Sequence, residues 1–212
     1  VKVLQALYAY IESGEDFVEN GVKHLLDSID KMKDLFVWQL SFLIETKRFA
    51  ENRIEENKRK NFPTKEDLNP NLRYVQNRVI IALENNRDLR KEEERLKINW
   101  ADHQDIIRGY YNMMRETQEY KDYMSDPVDN FEHDKKFIIR MISQYFSELE
   151  VLIDFYEEKS IFFVDDYHLV SSMLVKFFTD MKASFNEFTP LPDIYKTERD
   201  SVNEDKEFVK KL

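Results

Sequence analysis

The chain has 212 residues, of which 42 % are hydrophobic and 35 % are charged, and its formal net charge is −10. Only three glycines are present, and they lie too far apart to form the glycine-rich loops of phosphate-binding and dinucleotide-binding folds. The absence of cysteine excludes disulfides, thiolate metal sites and cysteine nucleophiles. Because sheet-rich folds need glycine at frequent turns, the composition predicts an all-α protein, a multi-helix bundle with no sheet.

The negative charge is concentrated in the second half of the sequence. Residues 1–100 balance their basic and acidic side chains, whereas residues 101–212 carry the entire net charge of −10. An acidic surface repels phosphate backbones, so any contact with nucleic acid is expected near the N-terminus. A solvated acidic surface without a polyanionic partner is the alternative, and charge alone leaves both interpretations open.

No stretch of the sequence predicts a membrane segment. The longest apolar run, over 36–44, is interrupted by polar residues and is much shorter than the roughly 20 residues that span a bilayer. No signal peptide is recognisable. We therefore expect a soluble, cytoplasmic protein.

Apolar residues recur at three- and four-residue spacing over the first hundred residues, which is typical of amphipathic helices. A first helix is predicted over 1–13 and a long second helix over 17–60. A helix of that length is unusual in a globular protein, so we expect a break near 30–33. Two prolines favour a loop over 62–71, and one or two helices are predicted over 73–96.

The second half continues the same helical pattern. Asp102 is predicted to cap a helix that includes Tyr120 and ends at Asp126. Further helices are expected to start at residue 129 or 130, to cover 149–158, and to open at Asp165 and Asp166. The proline-containing segment 188–192 predicts an extended linker.

The sequence offers little for catalytic or metal chemistry. None of the four histidines lies at metal-ligand spacing from another. The cluster 165–168 (Asp-Asp-Tyr-His) can be interpreted as a metal site, but a helix cap followed by first-turn acids is the favoured interpretation. Trp38 and Trp100 are expected in the core or at an interface and not as base-stacking platforms. We therefore predict no enzyme activity, no metal and no cofactor.

Several parts of the sequence resemble the NusB family of bacterial transcription antitermination factors. The opening segment Val3-Leu4-Gln5-Ala6-Leu7-Tyr8-Ala9-Tyr10 resembles the first helix of that family. The central region resembles the middle helices of the family at Asp134, Phe137, Leu149, Leu152, Glu157 to Ser160, Asp165, Asp166, Leu169 and Val170. An extended variant of the family is similar to this chain over 49–58, 68–71 and 98–100.

The resemblance implies a NusB-like, all-helical fold that binds a single-stranded boxA RNA element together with the ribosomal-protein partner NusE. It also implies that this complex modifies RNA polymerase during the transcription of ribosomal RNA. Such an RNA is held by basic side chains on its phosphates and by side chains that stack on its exposed bases or hydrogen-bond to them. Lys2, Gln5 and Tyr8 match the RNA-binding region of the family, and we expect them to contact RNA. A core position in the first helix is the alternative for Tyr8.

An internal repeat bears on how the chain is divided. The segment 134–141 is echoed by 205–212, with Asp, Lys and Phe identical, although two amphipathic helix starts can also match by chance. We predict N-terminal NusB-like helices over 1–60, a helical insertion over 61–128, a central NusB-like block over 129–200 and the start of a truncated block over 201–212.

Two segments of the NusB family are not found in this sequence. They are the arginine-rich stretch that precedes the first helix in the family and the helices that close the family's chain. We therefore expect that the sequence is truncated at both ends and binds boxA RNA weakly. The alternative function is a non-enzymatic helical scaffold whose acidic surface binds another protein.

Overall fold

A computed structural model describes residues 7–8, 10–12, 18–146 and 149–192. Within these ranges all regular secondary structure is helical and no strand occurs, which confirms the predicted all-α class. The helices are α1 (Val18–Lys58), α2 (Lys65–Leu68), α3 (Arg78–Asn85), α4 (Arg87–Leu96), α5 (Gln104–Glu116), α6 (Gln118–Ser125), α7 (Phe131–Tyr145), α8 (Glu150–Lys159) and α9 (Ile161–Asp180), with a 3-10 turn at Ala101–His103 before α5.

Helix α1 is the axis of the bundle. It runs for 41 residues without interruption, so the break expected near 30–33 is wrong. That stretch contains neither proline nor glycine, and Met32 is buried there. From Leu35 to Ile44 every residue is buried, and α3, α4, α5 and α9 all pack on the helix. A helix with neighbours along its length is stabilised mainly by packing, which is why it continues beyond the usual length.

Aromatic side chains form the centre of the core. Phe42 has no exposed surface, and its ring lies 5.0 to 5.7 Å from the rings of Trp100, Tyr110 and Phe146. Trp38 and Trp100 are both buried and contact each other edge to face at 5.2 Å. The predicted core position of the two tryptophans is confirmed.

Helix boundaries between α5 and α7 agree only in part with the predicted ones. Asp102 does not cap a helix, because it lies inside the 3-10 turn. Thr117 separates α5 from α6: its hydroxyl oxygen accepts a hydrogen bond from the backbone N–H of Tyr120 and caps α6. Tyr120 therefore belongs to the second of two helices. The predicted end at Asp126 and the predicted start at Asn130 are confirmed.

Helix α9 begins at Ile161, before the predicted start. Ser160 caps it by accepting a hydrogen bond from the backbone N–H of Phe162. Asp165 and Asp166 lie one turn inside the helix, so their interpretation as a helix cap is wrong. The first of them is exposed and the second is buried, because successive residues of a helix point in different directions.

The segment after α9 is held against the bundle. The side-chain amide of Asn86 donates to the carbonyl oxygen of Thr189 at 2.7 Å. The backbone N–H of Leu191, which is buried, donates to the carboxylate of Asp88 at 2.9 Å. The segment 188–192 contains no helix, in agreement with the predicted extended linker, but it is bound by the polar start of α4.

The stretch 62–71, predicted as a loop, contains the single-turn helix α2. Thr64 and Asp67 form a capping box there, in which each side chain accepts a hydrogen bond from the backbone N–H of the other. The one or two helices predicted next are α3 and α4. Asn86 ends the first and caps the second, because its side chain accepts from the backbone N–H of Leu89.

Charged side chains tie α1 to α3. The carboxylate of Glu84 accepts a hydrogen bond from Lys47 at 2.7 Å and another from Arg48 at 2.9 Å. Burial by itself would raise the pKa of Glu84, but the hydrogen bonds from the two basic side chains outweigh it and hold the pKa below its ordinary value. The carboxylate therefore stays ionised and links the two helices.

Candidate functional site

The residues that are predicted to bind RNA are only partly described. Lys2 and Gln5 lie outside the described residues. Tyr8 is helical and 67 % exposed, so the alternative core position for Tyr8 is wrong. Ile11 is 68 % exposed, and its three-residue spacing places it on the same side of the helical turn. Together with the exposed Leu7, these two residues form a surface that we call the N-terminal face.

A close contact holds the N-terminal segment on α1. The ring of Tyr10 lies so near Gly21 that a Cβ atom placed on the glycine would be 3.1 Å from ring atom Cδ2. Carbon atoms in ordinary van der Waals contact are about 3.5–4.0 Å apart, so a Cβ atom at residue 21 would push the ring away by a few tenths of an ångström. Tyr10 thereby anchors the turn from which Tyr8 and Ile11 project.

We expect Gly21→Leu to displace Tyr10 and to loosen the N-terminal segment. Amide hydrogen exchange over residues 7–12 should then accelerate at least about tenfold, because local opening becomes more frequent when a packing contact is lost. Gly109→Leu is the matched control, since a Cβ atom at that helical glycine meets nothing within 4 Å. It should leave exchange over residues 7–12 unchanged. Identical rates in the Gly21→Leu variant and the parent chain would contradict the anchoring role.

A second exposed surface is acidic and lies on α8. It consists of Glu150, Val151, Asp154, Glu157 and Glu158, which are all exposed and share one side of the helix by their spacing. We call it the acidic surface. None of its four carboxylates forms an ion pair with any residue in the described part of the chain. Lys159, the basic residue in the last turn, lies over the ring of Phe155 at 5.0 Å and leaves these charges uncompensated.

A groove of about 680 Å³ lies between the end of α1 and helices α5 and α6. Tyr74 lies in it with its ring 6.3 Å from Tyr111 and 5.8 Å from Tyr120. Burial raises the pKa of Tyr74 and of Tyr120, so these hydroxyls stay neutral. The charged residues of the groove are Arg53, Arg115, Lys121, Glu66, Asp67 and Glu116. Because the basic and acidic groups are equal in number, the groove gives a phosphate chain no net attraction.

The described part of the chain contains no group of three or more histidine, aspartate and glutamate side chains arranged as metal ligands. In the cluster 165–168, Asp165 and His168 are exposed while Asp166 is buried. These three side chains therefore do not converge on one site. Among the helices that the structure describes, none combines the length and the apolar character needed to cross a membrane.

Comparison with known proteins finds no match to the chain among protein-family models, curated proteins or solved structures. The resemblance to NusB therefore depends on the residues quoted for it in the sequence.

The sequence predicted an acidic surface within residues 101–212 but not its location on α8, and it did not predict the contact between Tyr10 and Gly21. The acidic surface has a readable signal, because Glu150, Asp154 and Glu157 recur at helical spacing within one predicted helix. The contact between Tyr10 and Gly21 has no signal in the sequence, since no sequence pattern pairs a tyrosine with a glycine on a neighbouring element.

Proposed function

We propose that the chain is a non-catalytic RNA-binding protein of the NusB type, which acts in the bacterial cytoplasm as a transcription antitermination factor during ribosomal RNA synthesis. Its RNA is a single-stranded boxA element. Its protein partners are a NusE-type ribosomal protein and the RNA polymerase antitermination complex. The observation that carries the proposal is the exposure of Tyr8 within the NusB-like segment 3–10.

The three proposed contact residues have the chemistry that single-stranded RNA requires. A lysine at position 2 binds phosphate as a point charge, and the amide of Gln5 both donates and accepts hydrogen bonds with base edges. The exposed ring of Tyr8 offers a face on which an unpaired base stacks. The segment also belongs to the electrically balanced half of the sequence, where a phosphate chain meets no net repulsion.

The test is a titration of fluorescently labelled boxA RNA at low salt. Tyr8→Ala is expected to weaken binding at least about fivefold, because one base stacked on an aromatic ring contributes about 1–3 kcal/mol. Lys2→Ala is expected to reduce the slope of log affinity against log salt by about 0.7, the value for one phosphate contact on a single strand. Both variants alter exposed or terminal positions, so the bundle should remain folded.

Phe62→Ala is the matched control for Tyr8→Ala. Phe62 is 92 % exposed and follows the far end of α1, so removal of its ring should leave the affinity unchanged. An RNA of the same composition in scrambled order controls for non-specific attraction. The proposal fails if the two variants bind boxA RNA equally well, or if the scrambled RNA binds as tightly as boxA.

A helical protein-interaction scaffold is the second candidate function, and the acidic surface on α8 favours it. Four uncompensated carboxylates around the 55 % exposed Val151 would complement a basic partner protein. This candidate predicts salt-sensitive binding to a basic protein that Glu157→Gln with Glu158→Gln weakens. Asp102→Asn with Asp105→Asn, two exposed acids elsewhere, is the control. Absence of boxA binding together with this behaviour would favour the scaffold over the RNA-binding protein.

A further inference from the structure

Two arginines line the groove between the end of α1 and helices α5 and α6 and lack an acidic partner among the described residues. Arg53 is half-buried and Arg115 is exposed. Neither guanidinium forms an ion pair with any residue that the structure describes. Arginine binds carboxylates and phosphates through a rigid set of N–H donors. A groove that presents two unpaired guanidinium groups is therefore suited to bind an anion.

The acidic side chains of this groove are more fully engaged than its arginines. Asp67 pairs with Lys60 at 3.3 Å, and Glu116 pairs with Lys121 at 3.5 Å. Glu66 is exposed and forms no ion pair within the described part of the chain. The lining thus presents two unpaired guanidinium groups and one unpaired carboxylate. The groove favours a single anionic group, although its equal numbers of basic and acidic residues give no net attraction to a phosphate chain.

The packing of α1 on α5 brings the two arginines to the same end of the groove. The two buried tryptophans, one on α1 and one before α5, lie 5.2 Å apart. Further along both elements, Phe49 lies 5.4 Å from Tyr111, so the two helices run in the same direction. Arg53 and Arg115 each follow this second pair by four residues, which places each of them one turn further on the same side of its helix.

The remainder of the lining is suited to an apolar ligand body. Tyr74, Tyr111 and Tyr120 are buried, and the guanidinium of Arg115 lies 5.8 Å from the centre of the Tyr111 ring. Ile54 is half-buried and belongs to the same lining. The groove has a volume of about 680 Å³, within the range of about 300–1,000 Å³ that is usual for small-molecule sites. Such sites combine a mainly apolar lining with a few polar groups that orient the ligand.

We infer that this groove binds a small organic acid, whose carboxylate pairs with Arg53 and Arg115 and whose apolar body packs on Ile54 and the tyrosine rings. Arginine and carboxylate form two parallel, charge-assisted hydrogen bonds. The half-buried position of Arg53 reduces the screening of this pair by salt. The inference is independent of the proposed RNA binding, since it uses neither the N-terminal face nor a phosphate chain.

A matched pair of ligands tests the role of the negative charge. Hydrocinnamate has a phenyl ring and a single carboxylate, and hydrocinnamamide has the same carbon skeleton without the charge. Titration of the 212-residue protein at neutral pH, followed by NMR of the backbone amides, gives both affinities and the site. The acid should bind about tenfold or more tightly than the amide, because a hydrogen bond to a charged group contributes about 1.5–3 kcal/mol. The shifted signals should lie within residues 50–57, 66–75 and 111–125.

Variants of the groove test the two guanidinium groups. Arg53→Gln and Arg115→Gln should each weaken binding of hydrocinnamate about fivefold or more and leave binding of hydrocinnamamide unchanged. Glu66→Gln should strengthen binding of the acid, because it removes the unpaired carboxylate. Arg59→Gln is the matched control, since Arg59 is an exposed arginine that does not line the groove, and it should change neither affinity. Unchanged thermal unfolding of the variants shows that the bundle is folded.

A blocked tripeptide, acetyl-Gly-Glu-Gly-amide, distinguishes a small acid from the acidic side chain of a partner protein. It offers a carboxylate without an apolar body and should bind more weakly than hydrocinnamate. Tighter binding of the peptide would overturn the inference and assign the groove to a protein partner. Absence of hydrocinnamate binding, equal affinities for the acid and the amide, or signal shifts confined to other parts of the bundle would equally overturn it.

Discussion

Asp134→Ala is expected to lower the free energy of unfolding by about 1–3 kcal/mol for each buried hydrogen-bond donor that is left without an acceptor. Asp134 is only 1 % exposed. Its Oδ1 accepts a hydrogen bond from the hydroxyl of Tyr123 at 2.9 Å. Its Oδ2 accepts from the backbone N–H and from the guanidinium of Arg78, both at 3.0 Å. Loss of the carboxylate leaves the hydroxyl of Tyr123 and the backbone N–H of Arg78 without their acceptor, whereas the exposed guanidinium keeps its pair with Asp129.

The hydrogen-bond network around Asp134 joins three helices. Loss of this network should therefore destabilise the bundle as a whole. Arg78 starts α3, Tyr123 belongs to α6 and Asp134 to α7. The side-chain amide of Asn77 donates to the hydroxyl oxygen of Tyr123 at 3.1 Å and so extends the network to the cap of α3. Burial, and then the nearby carboxylate, raise the pKa of Tyr123. The tyrosine therefore remains a donor at neutral pH.

Chemical denaturation at neutral pH measures the effect of Asp134→Ala. Asp129→Ala is the matched control, because Asp129 pairs with the same guanidinium at 2.6 Å but is 65 % exposed. An exposed pair contributes little, so the control should shift the unfolding midpoint only slightly. Asp134→Asn keeps the shape of the side chain, so its unfolding midpoint should lie between those of Asp134→Ala and Asp129→Ala. Equal midpoints for Asp134→Ala and Asp129→Ala would contradict the structural role of the buried network.

Phe42→Ala is expected to lower the free energy of unfolding by about 3–5 kcal/mol, the range for removal of a large aromatic side chain from a core. Phe42 has no exposed surface and contacts Trp100 before α5, Tyr110 on α5 and Phe146 after α7. A cavity at this point removes contacts that the long helix makes with several other parts of the bundle. Trp100 should gain access to water, so its fluorescence maximum should move to longer wavelength.

Phe62→Ala isolates the effect of position from the effect of residue type. Phe62 is 92 % exposed, and a surface substitution of this kind usually changes stability by no more than about 0.5 kcal/mol. Phe42→Leu should lower the free energy of unfolding less than Phe42→Ala, because leucine leaves a smaller cavity. If both phenylalanine-to-alanine variants unfold at the same denaturant concentration, the aromatic cluster is not the centre of the core.

Apolar spacing was sufficient to predict the helices that turn one side to the core. In α3, Val79, Ile80 and Leu83 follow the helical spacing within the predicted range 73–96, and all three have no exposed surface. A helix is the structure that brings these positions to one side. The break expected in α1 is wrong because the expectation depended on average helix length. Average length contains no information on how many neighbours pack along a helix.

The role of Asp134 could not be predicted from the sequence. An acid in the first turn of a helix is explained by the helix dipole alone. The partners that give it a structural role are Tyr123 and Arg78, which are 11 and 56 residues away in the chain. Long-range pairing of this kind depends on how α3, α6 and α7 assemble, and local sequence does not encode it.

The candidate RNA-binding site was predictable only in outline. The NusB-like segment directed attention to Lys2, Gln5 and Tyr8, but spacing alone left Tyr8 between a core position and an exposed one. The structure resolves that choice, because the anchoring residue is Tyr10 and Tyr8 is exposed.

Photochemical cross-linking is the most direct test of RNA binding at the N-terminal segment. A boxA RNA that carries photoreactive uridines is irradiated with the protein, and the modified peptides are identified by mass spectrometry. We predict that the principal cross-links fall within residues 1–12, with Tyr8 among the modified residues, and that Tyr8→Ala reduces them. Cross-links confined to other parts of the bundle, with none in residues 1–12, would contradict this account.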